Sequence, residues 1–196
     1  VKPQFLEGVL DEIKASVKED QIFISIAPGK TLQWFADKLG EKTKVIRTMP
    51  NTPAMVGEGM TALCVNDLVT EEETALAVKL CNTFGKTEVI PERLMDVVVG
   101  VSGSSPAYVF MFLEAMADAA VADGMPRAQA YKFAAQAVLG SAKLMLETGK
   151  HPGELKDMVC SPAGTTIQAV RVLEEKGLRS AVFEAQTTCV NKAKGM

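Results

Sequence analysis

One histidine, one tryptophan and four scattered cysteines leave few routes to side-chain chemistry in this 196-residue chain. Cys64, Cys81, Cys160 and Cys189 form no C-x-x-C pair, and only Cys160 has His151 near it in sequence. A zinc site needs clustered ligands, so no metal is expected, and scattered thiols fit reduced cysteines of a cytoplasmic protein. A Ser-His-Asp or Cys-His device would have to use His151, yet Lys150-His151-Pro152-Gly153 has the form of a helix entry. There is no run of Lys or Arg and the net charge is −3, which argues against nucleic acid as a partner. The longest charge-free apolar stretch, Val97 to Leu113, is broken by three serines and two glycines, so no membrane span is expected. The dinucleotide-binding pattern G-x-G-x-x-G is also absent. What is present is ordinary for a globular protein: 47% apolar and 23% charged residues, enough for one domain or two small ones.

The composition changes near residue 98. Of 24 alanines, 7 fall in residues 1–98 and 17 in residues 99–196. In the first part, Phe5, Leu6, Val9, Leu10, Ile13 and Val17 recur at helical spacing, predicting a helix over about 4–19. Short β-branched runs at 21–26, 44–49, 60–66 and 86–90 predict strands. Helices are predicted between some of them, over 31–39 and from a Thr70/Glu73 capping box to about residue 83. This alternation predicts a parallel-type α/β layer. In the second part only helical patterns appear, at 93–101, 106–123, 127–147, 154–159, 165–176 and 178–194. Their Ala and Gly positions allow backbones to approach closely, as in a helical bundle or a helix-exchanging dimer.

Three loops could carry chemistry. Ala27-Pro28-Gly29-Lys30 and Met49-Pro50-Asn51-Thr52-Pro53 each follow a predicted strand, where backbone N–H groups are free to meet a ligand, although a plain turn explains either equally well. Ser161-Pro162-Ala163-Gly164-Thr165-Thr166 says more: it opens the periodic run Ile167, Val170, Leu173 with small residues and hydroxyls. The free N–H groups and positive dipole end of a helix start suit a carboxylate or phosphate; the alternative is an ordinary helix start capped by Thr165 or Ser161. Glu114 and Asp118 share a helix face and read as a solvent edge or an interhelix bond rather than a carboxylate pair. The Ser/Gly step at 101–105 reads as packing.

Val1-Lys2-Pro3, Met49–Pro53, Val101-Ser102-Gly103-Ser104-Ser105-Pro106-Ala107-Tyr108 and the stretch from His151-Pro152 to Thr165-Thr166 occur in that order. Together they resemble pyrroline-5-carboxylate reductase, across essentially the whole chain. The resemblance implies a partial Rossmann-like NAD(P)-binding domain over 1–98 and an all-α helical dimerisation and substrate-binding domain over 99–196. Two positions depart from the family, which usually has Gly at Ser105 and at Ala163; the second matters only if that backbone needs a positive φ, which Ala tolerates poorly. The family also begins with a glycine-rich dinucleotide motif, roughly 65–70 residues upstream of the segment that Val1 matches. The 196 residues are therefore expected to be a truncated form with weakened NADPH binding, inactive by itself.

The resemblance implies hydride transfer from NADPH or NADH to C5 of 1-pyrroline-5-carboxylate, giving L-proline. It implies that backbone N–H groups at Gly164, Thr165 and Thr166, with Ser161 nearby, hold the substrate carboxylate. The Thr166 hydroxyl would orient the ring nitrogen or relay its proton, with Glu92 near the substrate. Val1, Lys2, Pro3, Ile26, Ala27, Pro28 and Asn51 would line the nicotinamide half of the cofactor. It further implies a cytoplasmic homodimer, commonly assembled into a decamer. Two other classes compete: a non-catalytic helical dimerisation module, and a β-hydroxyacid-type dehydrogenase, which would use Lys156 as a catalytic lysine.

Overall fold

The computed structural model describes Val1 and residues 3–195. Its first helix, α1 (Pro3–Ile13), is shorter than the periodicity predicts: a 3₁₀ turn over Lys14–Ser16 follows, and Val17 is extended. Val17 leaves the helix to pack, with Leu6, against a cluster of Leu10, Phe35, Leu39 and Val45. Strand β1 (Ile22–Ser25) leads to helix α2 (Leu32–Leu39). Thr31 caps α2 by accepting the Trp34 N–H at 3.0 Å, and Gly40, at φ +112°, ends it. Strand β2 (Lys44–Met49) has the predicted bounds. Strand β3 (Gly59–Val65) follows after only a 3₁₀ turn, Thr52–Val56. Helix α3 (Glu71–Cys81) begins with the predicted capping box: Glu73 N–H donates to Thr70 Oγ1 at 3.2 Å, and Thr70 N–H donates to Glu73 Oε2 at 2.9 Å. The Lys44 ammonium also meets Glu73 at 2.5 Å, and these donors lower the pKa of its carboxyl. Strand β4 (Gly85–Val89) completes a sheet in the order β1-β2-β3-β4.

The expected parallel layer needs correction. β1 and β2 are parallel, as are β3 and β4, but β2 and β3 run antiparallel. A parallel pair needs a crossover of a dozen or more residues, whereas the stretch between Met49 and Gly59 holds no full helix and can only turn the chain back. Where β3 meets β4, Gly59 and Gly85 are registered partners. A Cβ built on Gly85 would stand 2.6 Å from the Gly59 Cα and closer still to the Gly59 carbonyl, so side-chain-free residues make this strand contact possible.

The two faces of the sheet carry separate cores. Ile46, Leu63, Val69 and Ala77 pack under α3, while Ala62, Cys64 and Met95 pack on the other face with Met49, Ile90 and Val98. Burial there pushes the Cys64 thiol up to about 11. At pH 8 roughly one molecule in a thousand carries that thiolate. Cys64 is therefore expected to resist iodoacetamide in the folded protein and to react on denaturation; mass-spectrometric labelling of native and unfolded samples checks this.

Helical structure continues through α4 (Met95–Val98), a π turn over Val99–Gly103 and α5 (Ser105–Ala122). It goes on through α6 (Arg127–Thr148), α7 (Pro152–Val159), α8 (Thr165–Glu175) and α9 (Leu178–Ala193). The Ser/Gly step is thus helical rather than a break, with wider π winding. His151 serves the helix-entry role: its Nδ1 accepts the Gly153 N–H at 3.1 Å and caps α7. By its length and composition, the run Glu92–Ala122 would be long and apolar enough to cross a membrane.

The chain divides into two compact units, Val1–Pro106 with Gln186–Met196, and Ala107–Ala185. Within the first, the π turn lies against the end of α9: a Cβ on Gly100 would stand 2.8 Å from Val190 Cγ2, and Cys189 Sγ donates to Ser104 Oγ at 3.2 Å. In the second unit, the buried residues among those described are Ala117, Ala130 and Ala134. No large side chain is buried there.

Candidate active site

The three loops singled out from the sequence fall on the two units, the first two with the sheet and the third with the helices. On the sheet unit, parallel pairing sets Ser25 beside Arg47, so the chain segments leaving β1 and β2 emerge at the same end of the sheet. Thr48 Oγ1 donates to the Ser25 carbonyl at 3.2 Å, and the Ala27 N–H donates to Ser25 Oγ at 3.2 Å, which shapes the first loop. Pro28 precedes Gly29, whose φ of +71° only glycine adopts without strain. Ile26, just past the end of β1, is 65% exposed, and Val1 is 76% exposed. Pro3 begins α1, and Lys2 lies outside the described residues.

Asn51 is held at both ends of its amide. Its Oδ1 accepts the Met60 N–H at 2.8 Å and its Nδ2 donates to the Ser102 carbonyl at 3.1 Å. The second loop is therefore tied to the start of β3 and to the π turn. Glu92, in the 3₁₀ turn before α4, pairs with the Arg47 guanidinium and accepts the Leu32 N–H at 2.7 Å. Sequence reasoning missed Arg47. Its signal was slight: the second of two cations in β2, with its partner 45 residues away.

On the helical unit, Ser161-Pro162-Ala163-Gly164 forms a tight turn closed by the Gly164 N–H on the Ser161 carbonyl at 3.0 Å. Pro162 fixes a negative φ and Ala163 has φ +56°, the alternation of a type II turn. The substitution noted in the sequence thus sits where glycine is preferred. Ala163→Gly is expected to raise the stability of the protein by about 0.5–1 kcal/mol, read as a shift of the urea midpoint. An unchanged or lower midpoint would show that Ala163 is not strained.

Gly164 is the N-cap of α8 and, having no side chain, caps nothing. Thr31, Thr70 and His151 do cap α2, α3 and α7. No acidic residue lies in the first turn of α8 either, so its N–H groups and positive dipole end have no internal counterpart. A Cβ at Gly164 would collide with the Ser161 hydroxyl and stand 3.1 Å from the Ser161 carbonyl, which explains glycine at this cap. Thr165 is exposed and Thr166 half-buried at the first two positions of the helix. An anion reaching this end meets backbone donors first and the two hydroxyls beside them.

Other candidates are accounted for by pairing. Asp118 pairs with Arg127 rather than with Glu114. Lys156 pairs with Asp157, a contact that raises the pKa of its ammonium and keeps it protonated, the opposite of what a lysine base needs. No cluster of three His, Cys, Asp or Glu able to hold a metal occurs among the described residues.

Residues 92–196 match the family model described as pyrroline-5-carboxylate reductase dimerisation. The pyrroline-5-carboxylate reductase of Escherichia coli (strain K12) is 63% identical over 193 residues, covering 98% of this chain and 72% of the relative. That of Methanosarcina acetivorans is 47% identical over 194 residues, covering 99% and 72%. The crystal structure of the Plasmodium falciparum enzyme with NADP bound superposes with a TM-score of 0.92 at 31% identity, covering 100% of this chain and 78% of that one. The Coxiella burnetii enzyme gives 0.92 at 36% identity, covering 100% and 73%. The chain belongs to the pyrroline-5-carboxylate reductase family.

Proposed function

We propose that this chain reduces 1-pyrroline-5-carboxylate to L-proline with NADPH or NADH, and that Thr166 is its catalytic residue. One observation carries the reading: the start of α8 has no side-chain cap and no acidic residue in its first turn, and Thr165 and Thr166 occupy its first two positions. The substrate is a small ring bearing a carboxylate. Its carboxylate takes the N–H groups at Gly164, Thr165 and Thr166, with the Ser161 hydroxyl beside them. The Thr166 hydroxyl then faces the ring nitrogen, donating to it as its proton affinity rises. A threonine hydroxyl is a poor acid, so orientation and proton relay supply most of its effect.

The loop after β1 and the segment after β2 fit the nicotinamide half of the cofactor: they emerge together, one carries exposed Ile26, and Asn51 is fixed in place. Bound NAD(P)H supplies the hydride that reduces C5 of the imine. Val1, Ile26, Ala27, Pro28 and Asn51 would line its ring, the expected contacts of Lys2 and of the Pro3 side chain lying outside the described residues, and no G-x-G-x-x-G for the diphosphate occurs in these 196 residues. On this reading residues 1–98 form the partial nucleotide-binding domain and residues 99–196 the dimerisation and substrate-binding domain.

The chain works as a cytoplasmic homodimer, which assembles further into a decamer. Support comes from the helical unit, which buries only alanines yet leaves Phe133 67% and Phe183 74% exposed. A second copy covering those faces gives the unit the core it lacks alone. The test is direct. The full chain as its gene encodes it, supplied with NADPH and the imine, should form proline with matching loss of absorbance from the reduced nicotinamide. Absence of proline under those conditions overturns the assignment.

A further inference from the structure

Glu92 and Arg47 form a part-buried tie that the catalytic reading leaves unused. The Arg47 side chain is 7% exposed and that of Glu92 34%. Arg47 belongs to β2, Glu92 to the turn before α4, and the same Glu92 oxygen that meets Arg47 accepts the N–H of Leu32 at 2.7 Å. Leu32 is the first residue of α2, so its N–H is one of the donors a helix start leaves open. Three segments far apart in sequence thus meet at one carboxylate oxygen.

The position of that meeting point matters. Leu32 ends the loop that leaves β1, and its other end, at Ser25, is held by the Thr48 hydroxyl. Ile26, Ala27 and Pro28 are therefore suspended between two anchors, one of which is Glu92. We infer that Glu92, held by Arg47, is a positioning residue: by fixing the start of α2 it sets the loop against which the nicotinamide ring lies, and it is not a substrate contact. This inference rests on the cofactor role proposed above for residues 26–28.

The charge on Glu92 is what draws both donors to one oxygen. Glu92→Gln keeps the shape and an acceptor but removes the charge that holds Arg47. Arg47→Met removes the guanidinium and keeps most of the volume. If the two residues act as one device, both variants raise the Kd and KM for NADPH about tenfold. The KM for the imine stays within twofold, and the double variant is no worse than either single one. Both also speed amide hydrogen exchange at Leu32–Trp34.

The experiment measures NADPH binding by fluorescence, both KM values and exchange, on the full chain as its gene encodes it. A rise in the imine KM with NADPH unaffected makes Glu92 a substrate contact and overturns the inference. Faster exchange with unchanged NADPH binding overturns it too, leaving the pair a purely structural tie. Additive effects in the double variant show that the residues act separately. The parent protein separates the two levels: if it makes no proline, the proposed function fails; if it does and the variants bind NADPH normally, only the positioning role fails. Glu92→Gln is close to isosteric, so it reports even where Arg47→Met does not fold.

Discussion

Thr166→Ala is expected to lower kcat for the imine about a hundredfold, or roughly 2.7 kcal/mol of transition-state stabilisation. Thr166 is the second residue of α8, half-buried, at a helix start that no side chain caps. The substitution removes one hydroxyl and one methyl, and alanine is the better helix former, so the fold should be undisturbed. The backbone donors that hold the substrate carboxylate also remain, so the KM for the imine should move much less than kcat. NADPH binding should be nearly unchanged, since the loops after β1 and β2 are untouched. Thr166→Ser keeps the hydroxyl and should recover most of the rate. Steady-state kinetics with both substrates varied, beside a direct cofactor titration, check this pattern. A large rise in cofactor Kd with kcat intact would place Thr166 in the wrong role.

The second large effect concerns the fold. Gly85→Ala should destabilise the protein by about 3 kcal/mol or more, because the new methyl meets backbone rather than a side chain that could swing away. Its Cβ would stand 2.6 Å from the Gly59 Cα and 2.5 Å from the Gly59 carbonyl carbon. Only separation of β3 from β4 at their first registered pair could make room. Gly29→Ala is the control: its φ is +71°, but nothing lies within 4 Å of the added carbon, so its cost should be the conformational penalty of about 1–2 kcal/mol alone. Urea unfolding of the three proteins measures both. Equal midpoints for Gly85→Ala and the parent would show that the strands tolerate a wider spacing.

The sequence pattern revealed most of the elements, and for identifiable reasons. Thr70 with Glu73 and Gly149 at φ +62° are local devices, readable because both partners lie within a turn of each other. The ends of β2 were legible because Pro50 stops it. Strand direction was not, since alternation of strands and helices says nothing about the one connection that lacks a helix, between β2 and β3. The early end of α1 was hidden for a related reason: Val17 keeps the helical spacing, yet it is drawn out of the helix by the cluster around Phe35. At the candidate site, the Ser161–Thr166 segment was legible because a helix start is local. That Ala163 occupies a left-handed position became visible only in the backbone, although the substitution itself raised the question. The tie between Arg47 and Glu92 was illegible, because it is made by tertiary proximity of two ordinary charged residues.

The return of residues 186–195 to the sheet unit sets a timetable for biosynthesis. Gly100 lies against Val190 and Gln186, and Ser104 against Cys189, while the whole of 107–185 is translated between them. At about 5–20 residues per second the ribosome spends several seconds on that interval. Throughout it the π turn keeps a bare glycine and its neighbouring valines uncovered by α9. The first unit therefore cannot finish folding from its own end forward; it waits for the closing helix. In that window the nascent chain keeps apolar surface uncovered, and a chain that stops before residue 186 never leaves it.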